Sequence, residues 1–309
     1  MIIPPDVVGI DVSKHTLDVF DAGLGRSQTI SNTAEAVAAL AAELAQRGRF
    51  VVLEATGRYD ARLRRALEAA RVSYARVNPG QARDFARAAG FLAKTDQVDA
   101  RMLARLGEAL RPRPAEPIDA VRERLTRLHR RRDQLVAMRK QERTRLTDLL
   151  EEDLLEDLQK HLSWLNAEIA SLNTRIAQAI AGDAGLKETS RIVRSLPGVG
   201  PVAATTLLAL VPELGRRSPK TIAALAGLAP FNRDSGLHRG KRTIRGGRRR
   251  VREALYMAAV TAGRSNTTFG ATYRALIQAG KAPKLALIAV ARKLLVTANA
   301  MVRDQQSFA

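Results

Sequence analysis

The chain has 309 residues, enough for two domains or for one large domain with an insertion, and a 46% apolar share typical of globular proteins. Lys and Arg number 51 against 31 Asp and Glu, a net charge of +20, so nucleic acid is favoured as partner over a membrane surface or an acidic protein. The absence of cysteine excludes disulfides, thiolate-bound zinc and thiol nucleophiles, and four scattered histidines argue against a His-rich zinc site.

The N-terminal stretch MIIPPDVVGID lacks the basic and long apolar regions of a signal peptide. No run reaches roughly 18 uninterrupted apolar residues, so neither a membrane span nor a membrane partner is expected and a cytoplasmic site of action is. Residues 1–114 then alternate strand-like and helix-like patterns. Val7–Ile10 and Leu17–Phe20 read as two strands joined by a short turn, Ala34–Arg47 as a helix, Phe50–Leu53 as a strand, Arg58–Ala70 as a helix and Val72–Val77 as a strand. Asn78-Pro79-Gly80 offers a turn before a helix running toward Ala89, and Thr95 can cap the next one. A hairpin followed by β/α units predicts an α/β, RNase H-like layer.

Four acids stand in this region where a metal-dependent nuclease would need them. Asp11 ends the apolar run VVGI, Glu54 ends FVVL, and Asp96 and Asp99 lie three apart at the start of a helical pattern, on one face. Carboxylates delivered from two strand ends and one helix face can converge on one or two Mg²⁺ ions, with Mn²⁺ as a substitute, for chemistry on a polyanion.

Three prolines within Pro112–Pro117 break this domain off. Residues 115–184 are nearly continuous helix. Leu158, Leu162, Leu165, Ile169, Leu172 and Ile176 alternate steps of four and three, a heptad pattern that predicts a coiled-coil spacer and self-association, with a helical hairpin inside one chain as the alternative. The first half of this spacer is rich in arginine, either a nucleic-acid contact or a solvated face.

Residues 185–309 predict a mainly α domain with a long loop around 229–248. SLPGVGPVAATTLLALV, residues 195–211, reads as a helix-hairpin-helix in which Gly198 and Gly200 turn the backbone and present N–H groups to a phosphate. The stretch 191–252 carries fourteen Lys or Arg against two acids, +12 of the chain's +20. Within it Arg233, Arg239, Lys241, Arg242, Arg245, Arg248, Arg249 and Arg250 are the expected backbone-neutralising residues, because aromatics for base stacking are nearly absent. Ser235 sits in the same loop. A serine hydroxyl beside arginines can attack a phosphodiester, but Asp-Ser-Gly is also a common turn.

Taken in order, GIDVSKHTLDVF, EATGRYD, KTDQVDARMLA, LPGVGPVAATTLLA, AGLAPFNRDSG and GKRTIRGGRRR resemble the insertion-sequence transposases of the IS-one-ten family, over essentially the whole chain. The resemblance implies a RuvC-like DEDD domain with Asp11, Glu54, Asp96 and Asp99 as its acidic set. It also implies a C-terminal transposase domain whose nucleophile is Ser235. An element-encoded bridge RNA that pairs with donor and target DNA, and dimers that join into a tetramer, follow from the same resemblance.

Two other readings use parts of the same sequence. A structure-specific nuclease, such as a Holliday-junction resolvase, would use the four acids and a water nucleophile and would leave no covalent adduct. A non-catalytic DNA-binding protein would need only the helix-hairpin-helix and the basic loop, and no metal.

Overall fold

A computed structural model describes residues 6–55, 57, 59–91, 96–116, 119–148, 151–231 and 243–308, excluding the side chains of 96, 97, 148, 152 and 231. The chain forms two compact units, 1–118 and 119–309, the break falling in the proline-rich stretch. Helices from the expected 115–184 spacer belong to the second unit.

The first unit is built on a five-stranded sheet. Its strands are β1 (Val7–Val12), β2 (Thr16–Asp21), β3 (Arg26–Ser31), β4 (Phe50–Glu54) and β5 (Tyr74–Val77), in the order β3-β2-β1-β4-β5. The first three form an antiparallel meander, and β4 and β5 extend it in parallel. Because side chains alternate across a pleated strand, each face has its own core. Val8, Ile10, Leu17, Val51 and Leu53 pack under helices α1 (Ala34–Gln46) and α2 (Ala61–Ala69). Val7, Phe50, Val52 and Val77 pack under α3 (Pro79–Ala88) and α4 (Asp96–Leu110). At the end of α1, Arg49 bridges Asp6 and Asp21 and ties the entry of β1 to the exit of β2.

The third strand was not anticipated. RSQTIS is polar, with only Gln28, Ile30 and the sheet edge to define it, so it carries no apolar period. The second helix starts at Ala61 rather than Arg58. The fully buried Asp60 just before it holds Arg64 (3.3 Å) and Arg76 (2.5 Å) instead of capping the helix. Thr95 lies outside the described residues.

The second unit opens with two long helices, α5 (Ala120–Asp148) and α6 (Glu152–Ala181). They run antiparallel: Arg132 donates to Asn173 (2.6 Å), Arg139 donates to Asn166 (2.9 Å), and Glu142 lies 3.4 Å from His161. The heptad residues Leu165, Ile169, Leu172 and Ile176 are buried against Leu125, Leu128 and Leu135 of α5, so this part of the seam is closed within one chain. Leu158 and Leu162 are only half-buried.

Six shorter helices follow: α7 (Ala184–Arg194), α8 (Pro201–Leu210), α9 (Pro219–Leu225), α10 (Arg249–Ala262), α11 (Thr268–Gln278) and α12 (Pro283–Asp304). The last is long and apolar enough to cross a membrane, yet half of its apolar window is buried in the unit's core through Val290, Ala291, Leu294, Leu295 and Ala298. Arg122 and Thr126 of α5 donate to the carbonyls of Leu208 and Ala209, satisfying the C-terminal end of α8. Between α9 and α10 a two-stranded ladder pairs β6 (Pro230–Phe231) with β7 (Thr243–Ile244). Its base is clamped where Gly227 and Gly247 meet backbone to backbone, with Arg252 donating to the carbonyl of Gly246 at 2.7 Å.

Candidate functional site

The acidic residues gather on one side of the sheet. Strand alternation sends Val7, Gly9 and Asp11 of β1 toward α4, and sends Phe50, Val52 and Glu54 of β4 the same way. The parallel register pairs Ile10 with Leu53, so Asp11 and Glu54 are the next positions on neighbouring strands. The helix α4 crosses this face directly: a Cβ on Gly9 would stand 2.0 Å from the carbonyl oxygen of Ala100 and 2.5 Å from the nitrogen of Ala104. Asp99, the residue before Ala100, is therefore carried to the sheet face that bears Asp11 and Glu54. Asp96 occupies the first position of α4, one turn earlier.

A fifth carboxylate shares the face. Asp18 of β2 lies opposite Asp11 in the antiparallel register, is 6% exposed, and accepts a hydrogen bond from the Thr29 hydroxyl at 2.6 Å. Its position inside HTLDVF is visible in the sequence, but without the β1–β2 register nothing singles it out. Carboxylates directly opposite each other repel, and a cation offsets that repulsion. The donor set is entirely hard oxygen, which suits Mg²⁺ or Mn²⁺ and not a soft metal. Among the described residues no group of three such side chains stands close enough to hold one ion. The Asp96 side chain is outside that description.

In the second unit α7 and α8 flank the turn 195–200, which carries LPGVG. Gly198 has φ +80°, and a Cβ there would meet the Ala258 carbonyl of α10 at 2.3 Å. Its glycine identity is thus explained by packing against α10 as well as by the turn. Gly200 is exposed, caps α8 without a side chain, and has open space around it. Of the two glycines only Gly200 leaves a helix N-terminus open to an anion.

Several of the expected phosphate ligands are already paired. Arg248 makes two 2.6 Å hydrogen bonds to Glu213, and Arg250 makes bonds of 2.5 and 3.0 Å to Asp133. Burial raises the Glu213 carboxyl, but the Arg248 hydrogen bonds and charge outweigh it and hold the group below its usual range. Arg249 pairs with Glu253 at 2.7 Å while 84% exposed, a surface contact that a phosphate can displace at little expense. Arg245 stands exposed just after β7. Ser235, Arg233, Arg239, Lys241 and Arg242 lie outside the described residues.

Two family models match successive parts of the chain, the first running past the break between the units. Residues 8–153 match the DEDD transposase family of IS110 type, and residues 190–274 match the family described as "Transposase IS116/IS110/IS902 family". The pilin gene-inverting protein of Moraxella lacunata is 28% identical over 97% of both chains, and that of Moraxella bovis is equally similar. The uncharacterized 44.8 kDa protein of insertion element IS116 from Streptomyces clavuligerus is 32% identical over half of this chain and 38% of its own length. An α/β domain with acids on one sheet face, followed by a basic helical unit that matches a second transposase family, accounts for both ends of the molecule. The chain belongs to the IS116/IS110/IS902 transposases, DNA recombination enzymes of insertion sequences with a DEDD domain.

Proposed function

We propose that this transposase cuts and exchanges DNA strands through a phosphoserine intermediate, directed by an element-encoded bridge RNA, using acids of an RNase H-like, RuvC-like N-terminal domain and a serine of the C-terminal transposase domain. The observation that carries the reading is the common sheet face of Asp11, Glu54 and the helix bearing Asp96 and Asp99, set by the approach of α4 to Gly9. These four acids would hold one or two Mg²⁺ ions, which when bound polarise the phosphate and offset its charge.

Ser235 attacks the scissile phosphorus through its oxygen. The bond from phosphorus to the 3′-oxygen breaks, and the 3′-oxygen leaves as a hydroxyl with the proton that the serine loses. A 3′-hydroxyl from another strand then attacks the phosphoserine, restoring the phosphodiester and the serine. Bond types are conserved at each step, so no external energy source is needed. Arginines and lysines of 239–250 offset phosphate charge. The acids and the serine belong to different parts of the sequence, so the site is composite, and the chain assembles as dimers that join into a tetramer. The resemblance to gene-inverting proteins favours inversion of a DNA segment among the outcomes, in the cytoplasm where the DNA lies.

A denaturing gel tests this. Protein is mixed with end-labelled element DNA, the RNA encoded beside the gene, and Mg²⁺. Wild type should give a shifted, protease-sensitive label, and Ser235→Ala and Asp11→Ala should not. Cleavage without an adduct, equal in Ser235→Ala, would make the protein a water-using metal nuclease instead.

A further inference from the structure

The second unit contains a cavity of about 860 Å³ between α5, α6, α7 and α8, within the usual range of about 300–1,000 Å³ for small-molecule pockets. Ile176, Ile180 and Val202 give it an apolar wall, and Arg132, Lys187 and Arg194 give it positive charge. Lys187 and Arg194 are exposed, and neither pairs with a carboxylate among the described residues. The N-terminus of α8 opens into the same space at Pro201 and Val202, with Gly200 offering no side-chain cap. The helix dipole and its first-turn N–H groups thus add to the cationic edge.

A second feature of the cavity points to what it takes. His129 lines it, is 1% exposed, and its Nδ1 is buried without a hydrogen-bond partner. The other ring nitrogen, Nε2, faces two acceptors. One is the Asp133 carboxylate at 3.4 Å; the other is the Thr206 hydroxyl at 3.4 Å, whose own proton goes to the Val202 carbonyl. The proton therefore sits on Nε2, and Nδ1 is an acceptor without a donor. Burial, together with the charges of Arg250, Arg132 and Arg130, holds the ring neutral against the opposing pull of Asp133. An unanswered buried acceptor is unfavourable until something donates to it. A backbone phosphodiester suits the cationic rim but has no P–OH to donate to Nδ1. A nucleobase offers an amino or ring N–H, an apolar body and an attached phosphate.

We infer that this cavity binds a single unpaired nucleotide, its phosphate on Lys187, Arg194 and the N-terminus of α8 and its base against Ile180 and Val202 with an N–H directed to His129. The inference rests on the nucleic-acid reading above and adds to it a site for an extruded or single-stranded residue. Among the described residues no Phe, Tyr or Trp lines the pocket, so the base is held by an apolar slot and a hydrogen bond rather than by stacking.

Photocrosslinking of the full-length protein tests it. The probes are a short single-stranded RNA bearing 4-thiouridine, the matching DNA bearing 4-thiothymidine, and the same DNA as a perfect duplex, with crosslinked peptides mapped by mass spectrometry. Single-stranded RNA, single-stranded DNA or both should crosslink to peptides within 176–202, and the duplex should not; the responding strand identifies the source. Ala177→Trp, at an exposed lining position, fills the slot and should abolish that crosslink while total binding by filter assay stays within about two-fold. Lys187→Ala with Arg194→Ala should lower it at least several-fold. Strong binding with no crosslink in 176–202, or a wild-type yield in Ala177→Trp, overturns the pocket alone. Absence of any nucleic-acid binding overturns the proposed function as well.

Discussion

Gly9 and Ala100 touch backbone to backbone, so α4 rests on β1 with no side chain between them. This contact sets the height of the helix that carries Asp96 and Asp99 above the strand that carries Asp11. Gly9→Ala places a methyl 2.0 Å from the Ala100 oxygen, and the helix must lift or tilt. A displacement near 1 Å at a catalytic centre lowers rates about 100-fold. Strand cleavage should therefore fall by about that factor, while far-UV circular dichroism still reports the sheet and helices. Wild-type activity in Gly9→Ala would show that α4 does not position the acids.

The two glycines of the 198–200 turn should respond in opposite ways to the same change. Gly198→Ala combines a left-handed φ with a clash against Ala258 and should lower unfolding stability by about 2–4 kcal/mol. Gly200→Ala meets open space and ordinary backbone, and should change stability by less than about 1 kcal/mol. Urea titration of the two variants separates them. Equal losses would contradict the packing of the turn on α10.

Arg250 is joined to Asp133 across 117 positions of sequence, which makes it a structural cation first. Arg250→Ala should lower stability by about 2 kcal/mol through the lost charge-assisted bonds. The salt slope of duplex binding should stay as in wild type. A slope smaller by about one would instead mark Arg250 as a phosphate ligand.

Acid should destabilise the second unit in two stages. The folded state holds His129 below its usual 6.5, chiefly by burial, so unfolded chains bind the extra proton first. Its contribution is complete above pH 6.5 and is lost as pH falls below that value. Glu213 is also held below its usual 4.5, so its contribution with Arg248 is present above pH 4.5 and is lost at lower pH. Thermal melts at pH 7.5, 5.5 and 3.5 should show His129→Gln flattening the upper step and Glu213→Gln the lower. An upper step unchanged in His129→Gln would remove that histidine from the account.

A composite site has a genetic signature. Asp11→Ala and Ser235→Ala chains, each inactive alone, should recover part of the wild-type activity when mixed, if one protomer supplies acids and another the serine. No recovery at any mixing ratio would place both groups in the same protomer.

Much of this arrangement could be read from sequence because burial imposes a period. VVGI and FVVL are apolar on both sides, so they announce strands covered by helices on both faces, and the acids that follow them fall at neighbouring strand ends. What escaped has a physical reason. RSQTIS is an edge strand whose sheltered positions hold Gln28 and Ile30, only one of them apolar, so its sequence carries no alternation. Asp18 becomes notable only through its register with Asp11, which joins positions seven apart by folding back the chain. The leucine seam of 158–176 was legible as a packing surface, but the period of a helix cannot say whether its partner is another chain. In this structure the stretch from Leu165 onward is covered by α5 of the same chain. The charge of 248–250 was equally plain, while the acids that neutralise it lie 35 and 117 residues away.

The clamp of Gly227 on Gly247 bears on how such an enzyme changes over time. The chain between these two residues leaves and re-enters the helical body at nearly one point, so the body does not sense how long the excursion is. Lengthening a flexible loop adds only about 0.6 kcal/mol per doubling. Changes of length beyond the β6–β7 ladder can therefore accumulate without unsettling α9 or α10, whereas Leu228 in the core and Gly246 under Arg252 stay fixed. The length of the excursion can vary on a scaffold that stays constant.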